Sequence, residues 1–153
     1  MRKIFLIAII LFLNSCGYTP LYSSKDTNYK VITLKKNVNN NLTDYIHNRI
    51  QAFSNDDADK SLNISFDYNE NIVVILKNSK GDPIKNRLSV SIDLSLFDTD
   101  EDLITSKEFS ENFEYNIDDN KFNLKQYEKK IKFNLVEDIT QQILIFLVNV
   151  KWL

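Results

Sequence analysis

The stretch Leu88-Ser89-Val90-Ser91-Ile92-Asp93-Leu94-Ser95-Leu96 decides the fold. Five aliphatic side chains alternate with three serines and an aspartate. Successive side chains of a strand point to opposite faces, so this segment is a strand with one apolar and one wet face. Such a strand needs hydrogen-bonded neighbours on its edges and a cover over its apolar face.

Working outward, residues 98–102 (DTDED) form a turn. Residues 103–117 return as another strand, with Phe109, Phe113, Tyr115 and Ile117 on one face. Glu111 interrupts that face, so a bulge or an exposed end is expected there. On the other side, residues 78–83 (NSKGDP) are a turn, and Pro83 excludes a central strand position at that point. Before it, Leu62, Ile64, Phe66 and Tyr68 alternate with Ser61, Asn63, Ser65 and Asp67, and an apolar run follows at 72–76. Residues 61–77 therefore read as one long strand with a bend, or two short strands in sequence.

Further out, residues 29–35 (YKVITLK) are rich in β-formers and give a first strand. Residues 37–41 offer several helix caps. Leu42, Tyr45, Ile46, Ile50 and Phe53 then recur at helical spacing over 41–53. At the other end, Leu124, Tyr127, Ile131, Leu135, Ile139, Ile143, Phe146 and Val150 step by three or four. They predict one long amphipathic helix, on the order of 40 Å at 1.5 Å per residue. Asn123 followed by Gln126 resembles its capping box. Residues 143–148 are apolar on nearly all sides, which calls for deep burial or a cover. The expected fold class is α+β, in β-α-β-β-β-α order, with two helices on one face of a four-stranded mixed sheet. The opposite face, carrying Ser61, Asn63, Ser65, Ser89, Ser91, Asp93 and Ser95, is expected to stay wet or to meet a polar partner.

The first residues read differently. Arg2 and Lys3 precede an apolar run of about ten residues, 4–13, too short for a spanning helix. Leu13-Asn14-Ser15-Cys16 then places the only cysteine directly after a small residue. That arrangement resembles a lipobox, in which the signal peptide (1–15) is removed and Cys16 is lipidated, with palmitate among the expected acyl groups. Residues 16–28 then form a tether and 29–153 a single domain. Gly17, rather than an aspartate, follows the cysteine, which by the same resemblance directs the protein to the cell outer membrane, lipid-anchored on the periplasmic side. With Cys16 acylated, no thiol remains for a disulfide, a nucleophile or a cysteine metal site.

Composition excludes several functions. The full chain has 19 Lys+Arg and 21 Asp+Glu; without Arg2 and Lys3 the remainder carries 17 − 21 = −4, a poor balance for nucleic-acid binding. With two glycines, Gly17 and Gly81, there is no glycine-rich phosphate cradle. His47 is the only histidine, so sites built from His pairs are out. It is expected at the surface, on the polar side of the first helix. The carboxylates cluster in turns, and 98–102 lacks the glycine and distal glutamate of a calcium loop. No catalytic centre, metal site or cofactor is expected.

The start Cys16-Gly17-Tyr18-Thr19-Pro20-Leu21-Tyr22 resembles that of the LPS-assembly lipoproteins (LptE type) of α-proteobacteria. The hairpin around Asn86-Arg87-Leu88, the segment 113–117 with Tyr115-Asn116, and Glu137-Asp138-Ile139 follow that family's order. The resemblance implies a non-enzymatic outer-membrane lipoprotein. Such a protein plugs the β-barrel of the lipopolysaccharide export translocon (LptD type), assists its assembly, and contacts lipopolysaccharide on its way to the surface. It also implies phosphate contacts from basic residues near the hairpin and on the last helix. Lys77, Lys80, Lys85 and Arg87 are the candidates in the first place, and Lys129, Lys130 and Lys132 in the second. The competing expectation is an auxiliary lipoprotein of another envelope transport system of ABC type.

Overall fold

A computed structural model describes Thr27 and residues 29–150. The expected signal peptide (1–15), the expected lipidation site Cys16 and, except for Thr27, the expected tether (16–28) lie outside the described residues. The elements run β1 (Tyr29–Lys36), α1 (Asn41–Ala52), β2 (Lys60–Lys77), β3 (Pro83–Phe97), β4 (Leu103–Asn116) and α2 (Lys121–Asn149). The sheet order is β1-β2-β3-β4, with β1 parallel to β2 and the other pairs antiparallel. The expected α+β architecture and element order hold.

β3 is the sheet's keel. Leu88, Val90, Ile92, Leu94 and Leu96 are all fully buried. Pairing carries the same face sideways to Leu62, Ile64, Phe66 and Tyr68 of β2 and to Phe109 of β4. Both helices lie over this face: Ile46 and Ile50 from α1, and Ile131, Leu135, Val136, Ile139 and Ile143 from α2, complete one core. Twenty-two hydrophobic side chains among the described residues form that core, so helix–sheet burial rather than helix propensity holds the helices in place. Tyr45 meets Phe133 edge-to-face, with ring centroids 5.2 Å apart, and joins the two helices.

The opposite face is polar in successive cross-strand rows. Ser65, Ser95 and Ser106 make one, Asp67, Asp93 and Glu108 the next, then Asn69, Ser91 and Ser110. Among the described residues no helix covers this face, as its alternation demands.

Residues 60–77 form one continuous strand. The Ile72–Leu76 run keeps its pairing with β3, apart from register shifts near Leu76. Pro83 opens β3 opposite Lys77, a first-residue position where its missing N–H costs no ladder bond.

Three expectations are corrected. No bulge occurs at Glu111: the β3–β4 register runs unbroken from Lys85–Asn116 to Leu96–Thr105, and the irregularity falls between Leu96 and Phe97. Glu111 stays on the helix-facing side because Gln142 of α2 donates to its carboxylate at 2.6 Å. The cap of α2 is Asn120, not Asn123; its side chain accepts from the N–H groups of Phe122 and Asn123 at 3.0 and 3.1 Å. His47 is half-buried, with Nδ1 enclosed and no hydrogen-bond partner among the described residues. It lies four residues after Thr43 and three before Ile50, and both of those are buried. Helical spacing therefore puts it on the covered arc rather than the polar one.

Candidate functional site

The candidate site is the far end of the β2–β3 hairpin and the part of α2 that runs beside it. Sequence makes the turn: the Asn78 side-chain oxygen accepts from the N–H groups of Lys80 and Asp82, both at 2.9 Å. Gly81 takes φ of 89°, a left-handed conformation that suits glycine. Lys77 and Lys80 are exposed here and make no ion pair among the described residues. Behind the turn the strands are apolar and uncovered. Ile72, Val73, Val74, Leu76 and Ile84 are each 40% exposed or more.

Lys85 and Arg87 are not free cations. Both side chains sit on the polar face; Arg87 is opposite Glu114 of β4, and Lys85, opposite Asn116, reaches Glu114 diagonally. Lys85 Nζ donates to Oε2 at 2.7 Å and Arg87 Nη2 to Oε1 at 2.7 Å. The hydrogen bonds from Lys85 and then Arg87 hold the Glu114 carboxyl below its ordinary pKa. Two cations share one carboxylate, leaving a net positive charge of one in this cluster.

The helix lysines part company. Lys132 points toward the α1 side of α2 and donates to Glu70 of β2 at 2.6 Å. Tyr68 donates its hydroxyl to the other oxygen of Glu70 at 2.7 Å. Burial pushes the Glu70 carboxyl up, but these two hydrogen bonds outweigh it and its pKa falls below the ordinary value. Burial, aided by Glu70, pushes the Tyr68 hydroxyl well above the usual phenol range. Lys130 lies on the opposite flank, beside Phe113 of β4, and Lys129 is exposed. Lys130 and Lys132 thus cannot hold the same phosphate.

The sequence-selected cations fall into three places: the turn pair Lys77 and Lys80, the Glu114-bound pair Lys85 and Arg87, and single lysines on two flanks of α2. Glu70 and Glu114 engage three of them, and sequence spacing does not show it: β3–β4 register brings Glu114 to Lys85 and Arg87, and the packing of α2 on the sheet brings Lys132 to Glu70. A third network sits at the start of α2. Tyr115 donates to Glu128, and Asn86 donates to the Tyr115 hydroxyl at 3.4 Å. Burial and then Glu128 push the Tyr115 hydroxyl up to about 12. No group of His, Cys, Asp and Glu among the described residues could hold a metal ion.

No protein-family model matches the sequence, and no curated protein matches it. Solved structures do. A minor lipoprotein from Acinetobacter baumannii superposes with a TM-score of 0.62 at 15% identity, over 80% of this chain and 92% of that one. The rare lipoprotein B from Shewanella oneidensis gives 0.58 at 11%, over 78% and 97%. The chain has a fold of bacterial lipoproteins. An uncharacterized lipoprotein B from Nitrosomonas europaea shares it with a TM-score of 0.62 at 15% identity, over 84% and 88%. At these identities the likeness is one of fold. It reaches nearly the whole length of each solved chain, so the two-helix, four-strand layer is the common unit.

Proposed function

We propose that this protein is an outer-membrane lipoprotein, anchored through acylated Cys16, that plugs the β-barrel of the lipopolysaccharide export translocon and assists its assembly and lipopolysaccharide delivery. The observation that carries the reading is the two-sided character of the sheet. Both helices cover one face, and the other offers rows of Ser, Asn and carboxylate side chains with no cover among the described residues. A barrel lumen is polar, and such a face suits it without desolvating apolar surface. The lipobox-like Leu13-Asn14-Ser15-Cys16 and a fold shared with lipoproteins support the anchor. The turn lysines, Lys77 and Lys80, are the cations best placed for a phosphate: they stand three residues apart at the hairpin tip and make no ion pair among the described residues, whereas Lys85, Arg87 and Lys132 serve carboxylates and Lys129 and Lys130 lie away on α2.

The test is affinity purification of the lipidated protein from detergent-solubilised envelopes, with identification of what comes with it. A stoichiometric outer-membrane barrel of the export type is the expected result. Recovery of inner-membrane transporter subunits instead would overturn the plug and favour an auxiliary transport lipoprotein. Metabolic labelling of Cys16→Ala should show no acylated protein; persistent acylation would remove the anchor from the proposal.

A further inference from the structure

The outer edge of β4 borders a groove on the flank of α2. Among the described residues β4 ends the sheet, so alternate backbone N–H and C=O groups along it have no strand partner there. The contacts Tyr115–Tyr127, Glu111–Gln142 and Phe109–Phe146 show α2 running antiparallel beside it. Between strand and helix lies a cavity of about 300 Å³. Its floor is Ile131 and Leu135, both buried, and its walls are Phe113 and Tyr127, 44% and 46% exposed. Lys130 stands at the end nearer Tyr115 and Asp138 at the end nearer Glu111, and neither makes an ion pair among the described residues.

We infer that this groove takes an extended peptide segment of a partner protein, added antiparallel to β4 at residues 111–115. The recognition mode is strand addition, in which main-chain bonds supply affinity and the groove reads alternate side chains. The charges name the segment. Lys130 and Asp138 are separated by about 12 Å along the helix at 1.5 Å per residue. Four strand residues span about 13 Å. On the helix-facing side β4 presents Tyr115, Phe113 and Glu111 in that order to an antiparallel partner. The incoming strand therefore carries an acidic residue first, near Lys130. An apolar residue follows two positions later, against Phe113, and a basic residue two after that, between Glu111 and Asp138. Lys107 faces the same side and stacks over the Phe109 and Phe146 rings at 4.9 and 5.0 Å. An inward charge on an edge strand discourages unselective pairing, which confines the addition to the groove end. This surface stands apart from the barrel reading, because its assay contains no barrel.

The full chain in detergent is titrated with the fluorescent heptapeptide Thr-Asp-Thr-Leu-Thr-Lys-Thr. Saturable binding is expected, weakened about fivefold by Lys130→Glu, the upper range for one exposed charge pair. The charge-reversed Thr-Lys-Thr-Leu-Thr-Asp-Thr should bind more weakly than the first peptide. N-methylation of one set of alternate peptide residues should abolish binding and of the other set leave it intact, since only one set faces β4. Absence of saturable binding would overturn the proposal. So would equal binding of both charge orders, or equal tolerance of both N-methylated sets.

Discussion

Lys132 Nζ donates to Glu70 Oε1 at 2.6 Å, tying the middle of α2 to a β2 residue 62 positions earlier. The same carboxylate accepts the Tyr68 hydroxyl, so one glutamate joins the long hairpin to the helix that covers it. This junction marks where helical cover ends: on the hairpin side of Glu70, β2 residues 71–74 are exposed.

The pH dependence of this junction has a definite sign. The folded pKa of Glu70 lies below its ordinary value of 4.5, so its contribution to stability is fully present above about pH 4.5. It is lost as the pH falls through the lower folded value. The stability gap between wild type and Glu70→Gln, measured by urea unfolding, should be constant from pH 6 to 8 and should close under acid. The pair is partly solvent-screened, so a double-mutant cycle with Lys132→Ala should give a coupling of only about 0.5 kcal/mol. A gap that widened on acidification would contradict the assignment.

Glu114 holds Lys85 and Arg87 and therefore masks the hairpin's charge. If the hairpin meets lipid phosphates, Glu114→Gln should strengthen retention of lipopolysaccharide by detergent-solubilised protein, and Lys77→Glu with Lys80→Glu should weaken it. Identical retention by all three proteins would remove the hairpin from lipid contact.

The row Asp67, Asp93 and Glu108 places three carboxylates side by side across β2, β3 and β4. Among the described residues only one weak bond, from Asn69 Nδ2 at 3.4 Å, is made to Asp93. Like charges directly opposite one another destabilise a sheet. Asp93→Asn should raise stability by about 0.5 kcal/mol at low salt and by less in 0.5 M salt, where screening is strong. Thermal unfolding at two ionic strengths checks this.

Leu94 is fully buried at the centre of β3, whereas its neighbour Ser95 faces the polar side. Leu94→Ala should cost about 3 kcal/mol in denaturant unfolding, and Ser95→Ala should stay within about 0.5.

Asn120, with both acceptor bonds to the first turn of α2, should cost about 1 kcal/mol on replacement by alanine. Asn123→Ala should be near neutral. The reverse order would return the cap to Asn123.

Much of the fold was legible because its determinants are local. The 88–96 alternation, the 3.6-residue stripe from Leu124 to Val150 and the Asn78–Gly81 turn each act within a few residues, so periodicity and turn chemistry set strand, helix and hairpin. The failures were also physical. Glu111 reads in sequence as a defect in a strand face because its partner, Gln142, lies 31 residues away on α2. Asn123 outranked Asn120 only because an N-cap signal three residues off reads almost the same in sequence. His47 reads as polar in sequence because Thr43, one turn before it, is a polar residue that packing nonetheless buries completely, and this widens the covered arc of the helix beyond its apolar stripe.

The chain by itself determined which elements form, which sheet face is apolar, and which cations exist near the hairpin and on the last helix. These follow from side-chain chemistry at fixed spacing along the backbone. Only the tertiary structure decided which cations remain available. β3–β4 register brings Glu114 to Lys85 and Arg87, and the path of α2 over the sheet brings Lys132 to Glu70 while leaving Lys130 beside the open edge of β4. Ion pairs act over a few ångströms, and residues 27 to 62 positions apart reach that distance only once the sheet and its helices have packed.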